Sequence, residues 1–161
     1  MAKVILTCGK LGCGKTTYAK RLCAERGAVL LSADELMLSL FGQDAGEKHD
    51  EYLEKVKTFL LNQSLDLVSR GVDAVLDWGL WTRAERTAVK AFYEDRAVPC
   101  EIHYLELGEE VRRQRIDERN RAVLSASARD YYVDEGLASK LDRLFEPPEP
   151  AEVDVWVTQA E

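Results

Sequence analysis

The sequence predicts an α/β domain in which a five-stranded parallel sheet lies between two layers of helices. Short apolar, β-prone runs alternate with helix-like segments along all 161 residues, without internal repeats or low-complexity tracts. The first of these runs leads through a glycine-rich loop directly into a helix. Apolar residues make up 46% of the chain, enough to build one core. Because parallel strands need right-handed helical crossovers, we expect a three-layer α/β/α sandwich.

In the first half of the chain, apolar runs predict the strands, and capping signals delimit the helices. Ser32 and Glu35 have the spacing of a capping box, so a short helix is expected to begin directly after Ser32. Gly71 ends a long amphipathic helix. The predicted strands are 4–7, 28–31 and 72–76, and the predicted helices are 17–26, 33–40 and 50–70.

The second half continues the alternation of strands and helices. Thr82 and Glu85 form another capping-box pattern. Pro147 and Pro148 stop the last helix because proline disfavours helical backbone at and before its own position. The predicted strands are 100–107 and 153–157, the predicted helices are 83–96, 109–121 and 133–145, and 125–130 is a predicted loop.

The most informative motif lies between the first strand and the first helix. Residues 9–16 read Gly-Lys-Leu-Gly-Cys-Gly-Lys-Thr and fit the Walker A pattern G-x-x-x-x-G-K-[ST]. Glycines let backbone N–H groups converge on phosphate oxygens, and the following helix N-terminus also favours an anion. Lys15 is expected to reach the β- and γ-phosphates of a bound nucleoside triphosphate, and the Thr16 hydroxyl to ligate Mg²⁺. The predicted nucleotide-binding residues are Gly9, Gly12, Cys13, Gly14, Lys15, Thr16 and Thr17.

Two acidic residues lie just beyond the ends of predicted strands, where parallel sheets bind their ligands. Asp77 follows the third strand, and we favour a role in holding Mg²⁺ or its water shell over a role as a turn former. Asp34 follows the second strand, and two interpretations stand for it. It accepts the proton of a hydroxyl that attacks the γ-phosphate, or it is an acid that the helix dipole favours in the first turn.

The predicted helix over 109–121 is rich in arginine. Arg115 and Arg119 lie four residues apart and therefore share one face, where they can grip phosphate oxygens together. The alternative interpretation is a solvated face whose charges pair with Glu110, Asp117 and Glu118. The sequence pattern leaves both open.

Two tryptophans, Trp78 and Trp81, lie in the loop after the third strand. They either form an aromatic wall for a substrate, with Arg83 and Arg86 available to an anionic group, or pack against the neighbouring long helix. The pattern slightly favours packing.

Composition excludes several classes of function. The formal net charge of −7 gives no general attraction to nucleic acid or to an anionic membrane. No apolar run has membrane-spanning length, and the chain enters a strand directly after Lys3. We therefore expect a cytoplasmic protein without a signal peptide. Its four cysteines lack metal-binding spacing and are expected to be reduced.

Five segments of the chain form a recognisable combination: 9–17, 31–36, 75–86, 115–120 and 145–152. Together they resemble the small P-loop ATP-binding proteins of the zeta-toxin, chloramphenicol phosphotransferase and polynucleotide kinase type. The resemblance implies a P-loop NTPase fold with a nucleoside-monophosphate-kinase-like core, and ATP with Mg²⁺ as cofactors. It implies one domain over 1–161 with a lid segment around 112–130. Asp34 would match the catalytic base of the polynucleotide kinases, and Arg115 and Arg119 their mobile lid arginines.

The function expected from these observations is an ATP-dependent kinase that transfers the γ-phosphate to a hydroxyl of a small molecule. Two alternatives stand beside it: a 5′-hydroxyl polynucleotide kinase, which the negative net charge disfavours, and an ATP-dependent switch or ATPase with a protein partner. In the kinase interpretation, the catalytic residues are Lys15, Asp34, Arg115 and Arg119, and the metal ligands are Thr16 and Asp77.

Overall fold

The computed structural model describes residues 1–126 and 130–158, and within them the chain forms one five-stranded sheet. All neighbouring strands are parallel, which confirms the predicted fold class. The strands are β1 (Val4–Cys8), β2 (Val29–Leu31), β3 (Ala74–Leu76), β4 (Cys100–Glu106) and β5 (Val155–Thr158). Their order across the sheet is β2-β3-β1-β4-β5, so β1 lies at the centre.

Six α-helices connect or follow these strands within the described residues. Ser32 and Thr82 each accept a hydrogen bond from the backbone N–H three residues later, as their capping patterns predicted. The helices are α1 (Lys15–Arg26), α2 (Ala33–Phe41), α3 (His49–Ser69), α4 (Arg83–Glu94), α5 (Glu109–Leu124) and α6 (Glu135–Leu144).

The core lies on both faces of the sheet because side chains alternate along each strand. Val4 and Leu6 of β1 pack into the large apolar cluster that α2, α3 and α4 cover. Ile5, between them in sequence, packs on the opposite face with Ala19 of α1 and Val75 of β3. Helices therefore cover both faces, which confirms the three-layer arrangement.

Element boundaries differ by a few residues from those predicted, for local reasons. α1 begins two residues early, because Gly14 adopts a left-handed φ of 91° and serves as its N-cap. β3 begins two residues late, because the Val72 N–H donates to the Leu67 carbonyl at the end of α3. α6 begins at residue 135 because the Asp134 side chain accepts from the Leu137 N–H. α5 extends three residues beyond its predicted end.

Two sequence predictions fall partly outside the described residues. The predicted loop 125–130 and the predicted lid segment 112–130 both include residues 127–129. In the part of the chain that the structure describes, no helix combines the length and the apolarity needed to cross a membrane. A single domain over 1–161 stays a prediction.

The sheet brings the carboxyl ends of its three neighbouring strands β1, β2 and β3 to one edge. Leu6 of β1 and Leu31 of β2 are both in register with Leu76 of β3. The residues that follow these strands therefore share one rim, where ligands bind in open parallel sheets.

Candidate active site

The phosphate loop, residues 9–16, passes close to α5. Gly12 has a φ of +79°, in the left-handed region that favours glycine. A Cβ atom at Gly12 would come within 2.8 Å of the Ile116 Cγ1 and 3.0 Å of the Arg112 carbonyl oxygen. Glycine is therefore required here both by backbone conformation and by the lack of space.

The Lys15 side chain folds across this loop. Its Nζ donates hydrogen bonds to the carbonyl oxygens of Gly9, at 3.0 Å, and Lys10, at 2.7 Å. A positive charge thus lies at the start of α1, where the helix dipole also favours an anion.

The N-terminus of α1 differs from those of three other helices. α2, α4 and α6 each begin with a side-chain cap, from Ser32, Thr82 and Asp134 respectively. α1 follows Gly14, which has no side chain to accept from the first amides of the helix. Those donors and Lys15 together suit an anionic ligand such as a polyphosphate.

The Thr16 hydroxyl donates to the Asp77 Oδ2 at 2.7 Å, which joins the start of α1 to the end of β3. Behind this pair, the buried Thr7 hydroxyl bonds both the carbonyl oxygen of Trp78, at 2.8 Å, and its N–H, at 3.0 Å. The backbone that carries Asp77 is thereby held in place from beneath.

The chemistry of these donors fits Mg²⁺. A hydroxyl and a carboxylate are oxygen ligands, which this cation prefers, and Mg²⁺ is commonly held by one or two carboxylates together with phosphates. Residues 1–126 and 130–158 hold no group of three or more His, Cys, Asp or Glu side chains able to bind a metal ion.

Asp34 lies in the first turn of α2, on the same rim. The residue is exposed to solvent. Partial desolvation by the neighbouring protein raises the pKa of Asp34, and the negative charges of Asp77 and Asp130 raise it further. Lys15 and Arg119 lower the pKa and offset only part of the increase. A carboxylate with a raised pKa is a better proton acceptor than an ordinary aspartate.

The arginines of α5 divide into two groups. Arg115 and Arg119 line a cavity beside the phosphate loop, and the Arg119 Nη1 lies 3.6 Å from the Asp130 Oδ2. The buried Arg119 Nε has no hydrogen-bond partner among the described residues. Arg112 instead is buried in the protein and donates to the Leu11 carbonyl at 2.9 Å, so it supports the phosphate loop from behind.

Trp78 and Trp81 both line the cavity, and both also pack against the core cluster. Their two interpretations are therefore compatible. The structure excludes the alternative in which Arg86 is available to an anionic group, because Arg86 is only 1% exposed and its Nε pairs internally with Glu152 at 3.0 Å. Arg83 is exposed and lies outside the lining of the cavity.

The cavity has a volume of about 980 Å³ and opens at the carboxyl edge of the sheet. Two predicted nucleotide-binding residues do not line it: Gly9 is buried, and Cys13 packs against Tyr18 and Leu105. The cavity brings together nine of the predicted site residues: Gly12, Gly14, Lys15, Thr16, Thr17, Asp34, Asp77, Arg115 and Arg119.

Sequence reasoning did not single out several other lining residues, among them Asp130, Val157 and Thr158. Thr158 directly follows the predicted strand 153–157, so the rule applied to Asp34 and Asp77 would have found it. Asp130 lies in a predicted loop, and no local pattern marks it.

A family model described as "AAA domain" (AAA_33) matches residues 4–148. A search of curated proteins gives no significant match. Among solved structures, an unliganded sugar kinase from Janibacter sp. HTCC2649 superposes with a TM-score of 0.66 at 18% identity, covering 98% of this chain and 86% of the other.

Two further similar structures contain nucleotides. Chaetomium thermophilum Kti12 in complex with ADP-AlF3 has a TM-score of 0.68 at 20% identity, covering 98% of this chain and 88% of the other. The Mycobacterium tuberculosis APS kinase CysC in complex with AMPPNP and APS has a TM-score of 0.66 at 18% identity, covering 99% and 90%. Similarity at this level of identity establishes a shared fold.

Proposed function

Since the chain belongs to the AAA_33 family of P-loop, kinase-like domains, we propose that it is an ATP-dependent kinase acting on a hydroxyl group of a small molecule. The observation that carries the proposal is that one cavity contains the phosphate loop, two arginines, and an aspartate with a raised pKa. Those are the groups that phosphoryl transfer requires.

The nucleotide end of the proposed site is the phosphate loop with the N-terminus of α1. Backbone amides there bind the triphosphate, and Lys15 rotates from the Gly9 and Lys10 carbonyls toward phosphate oxygens. ADP-AlF3 and AMPPNP in two similarly folded proteins support ATP as the nucleotide.

Thr16 and Asp77 would hold Mg²⁺, since their oxygens lie together at the start of α1. When bound, the ion supplies charge neutralisation on the β- and γ-phosphate oxygens. Thr7 contributes indirectly, because it holds the backbone on which Asp77 is carried.

The transfer step uses Asp34 as general base. The acceptor hydroxyl gives its proton to the Asp34 carboxylate, and its oxygen forms a bond to the γ-phosphorus. The bond between that phosphorus and the β–γ bridging oxygen breaks, and ADP leaves with the electron pair. Arg115 and Arg119 stabilise negative charge on the transferred group. We place this chemistry in a single domain over 1–161 with a lid around 112–130.

Replacement of Asp34 by Asn tests this assignment. A screen of alcohols, nucleosides, sugars and antibiotics for acceptor-stimulated ADP release first identifies an acceptor. With that acceptor, Asp34→Asn is expected to lower kcat by about 100- to 10,000-fold, the range for loss of a general base. Thermal stabilisation by Mg·ATP is expected to persist.

The control variant is Asp66→Asn, which removes one carboxylate from α3, far from the cavity lining. It is expected to keep the parent turnover. Unchanged turnover in Asp34→Asn would remove Asp34 from the mechanism, and failure of every acceptor to stimulate ADP release would contradict the kinase proposal itself.

A further inference from the structure

We propose that Asp130 makes the acceptor end of this cavity selective for hydroxyl compounds that carry a positive charge, such as amino sugars and amino alcohols, over anionic ones. This inference rests on the proposed function, because the selected molecule is the phosphate acceptor. It deepens that function by naming the class of acceptor.

Asp130 belongs to a short strap, residues 130–133, that is held from both sides. Gln43 of the loop after α2 donates from Nε2 to the Asp130 carbonyl at 2.6 Å and accepts from the Tyr132 N–H at 3.1 Å. Asn120 of α5 accepts from the Val133 N–H at 2.8 Å and donates to the Val133 carbonyl. Paired hydrogen bonds from two amide side chains therefore fix the strap, and with it the position of Asp130.

The Asp130 side chain lies beside Arg119 and offsets part of its positive charge toward the acceptor. Its Oδ2 lies 3.6 Å from the Arg119 Nη1, and its Oδ1 accepts from the Tyr131 N–H at 2.8 Å. Without this partner, Arg119, which lines the cavity, would be available to an anionic group on the acceptor. Arg115 lies one helical turn closer to the phosphate loop, where the triphosphate charge is expected.

Asp34 adds a second carboxylate to the cavity lining beside the Arg119–Asp130 pair. The negative charge of Asp130 contributes to the raised pKa of Asp34. An acceptor with a carboxylate or phosphate group would bring a further negative charge close to these carboxylates. A cationic acceptor would instead be attracted to them.

Trp78, which lines the cavity, supplies a second, independent indication of a ligand. Trp78 is nine-tenths buried at the cavity wall, and its Nε1 has no hydrogen-bond partner in the described part of the chain. A buried donor of this kind favours a ligand oxygen, such as a sugar hydroxyl. The indole ring also attracts cations, and the Lys57 Nζ already lies 5.9 Å from its centroid.

Binding of matched compounds that differ only in charge tests the inference. The panel is glucosamine, glucose and gluconate, with ethanolamine, ethylene glycol and glycolate as a smaller series, each titrated calorimetrically in the presence of Mg·AMPPNP. The parent protein is expected to bind the amines about tenfold more tightly than the carboxylates. Asp130→Asn is expected to abolish this preference while thermal stabilisation by Mg·ATP stays unchanged.

Two further variants separate charge from general damage. Gln43→Ala keeps the Asp130 charge but removes one side of the strap, so we expect a reduced preference for amines. Asp134→Asn removes the same charge four residues away, outside the cavity lining, and asparagine can still cap α6. We expect this control to keep the parent ranking, and melting temperatures verify that all three variants fold.

The inference is overturned if no amine in the panel binds, if a carboxylate binds best, or if Asp130→Asn leaves the ranking unchanged. Amine-selective binding that depends on Asp130 supports it even when no phosphate is transferred, an outcome that would contradict the kinase proposal alone. Efficient transfer to anionic acceptors would leave the kinase proposal standing and remove this inference.

Discussion

The two ends of the cavity are built in different ways. The phosphate end is one continuous segment, residues 9–16, whose shape depends on glycine backbone and on the start of α1. The acceptor end is assembled from separate parts of the chain: α2, the loop that carries Trp78 and Trp81, α5 and the strap over 130–133. The hydrogen bond from Gln43 to Asp130 alone joins residues 87 positions apart.

This difference teaches where each kind of specificity is encoded. Recognition of a polyphosphate uses main-chain amides and one lysine, which a local motif can specify. Selection of an acceptor uses side chains whose relative positions depend on long-range contacts. Substitutions far from the cavity are therefore expected to affect the acceptor end more than the phosphate end.

Apart from loss of the general base Asp34, the largest expected effect is at the phosphate end, from removal of the Lys15 charge. Lys15→Met is expected to lower ATP turnover by about 100- to 1,000-fold, the range for loss of one preorganised charge-stabilising group. The variant should also lose thermal stabilisation by Mg·ATP. Lys55→Met, on the exposed face of α3, is the matched control and should behave like the parent. Parent-like ATP turnover in Lys15→Met would remove the phosphate end from the proposed site.

Arg86→Leu tests whether the acceptor end depends on a buried support. The Arg86 Nη1 donates to the Leu80 carbonyl between the two tryptophans, and its Nε pairs with Glu152. Removing one partner of a buried ion pair is expected to lower the free energy of unfolding by about 3 kcal/mol, measured by urea denaturation. The exposed Arg83→Leu should change it by less than about 0.5 kcal/mol. Equal effects in both variants would show that the buried pair contributes little.

Gly12→Ala measures how tightly the phosphate loop is packed against α5. Gly12 and Gly46 have the same φ of +79°, but nothing lies within 4 Å of a Cβ at Gly46. Backbone strain alone is expected to cost about 1 kcal/mol in Gly46→Ala, and the contact with α5 should add a further 1 kcal/mol or more at about the same φ in Gly12→Ala. Thermal unfolding of the two variants gives the difference, and equal losses would contradict the close approach to α5.

The smallest expected effect is a shift in pH dependence at the acceptor end. Asp34 acts as a base only when deprotonated. Because its pKa is raised, kcat/KM should fall on the acid side of the pH profile at a higher pH than it would with an ordinary aspartate. Asp130→Asn removes a negative charge that disfavours the Asp34 anion. The pKa of Asp34 should then fall, and the acid limb should move to lower pH. Asp134→Asn is the control and should leave the acid limb of the pH profile unchanged. If the acid limb also stays unchanged in Asp130→Asn, Asp130 does not act on Asp34.

Much of the fold was predictable because its signals are local. Ser32 and Thr82 cap their helices through bonds to residues three positions away, and alternation along β1 directs Val4 and Ile5 to opposite faces. The role of Arg86 stayed open in the sequence because its partner Glu152 is 66 positions away. From sequence alone, a buried arginine cannot be told from an exposed one when its counter-charge is so remote.

The sequence by itself determined the order of strands and helices along the chain, the phosphate loop, and the rim on which Asp34 and Asp77 lie. Those features follow from hydrophobic periodicity, glycine conformation and capping, each of which acts over a few residues. Only the tertiary structure decided that Asp130 pairs with Arg119, that Trp78 forms part of the cavity wall, and that Arg86 is internal. These depend on which distant segments the sheet brings together, and that is decided by packing of the whole core.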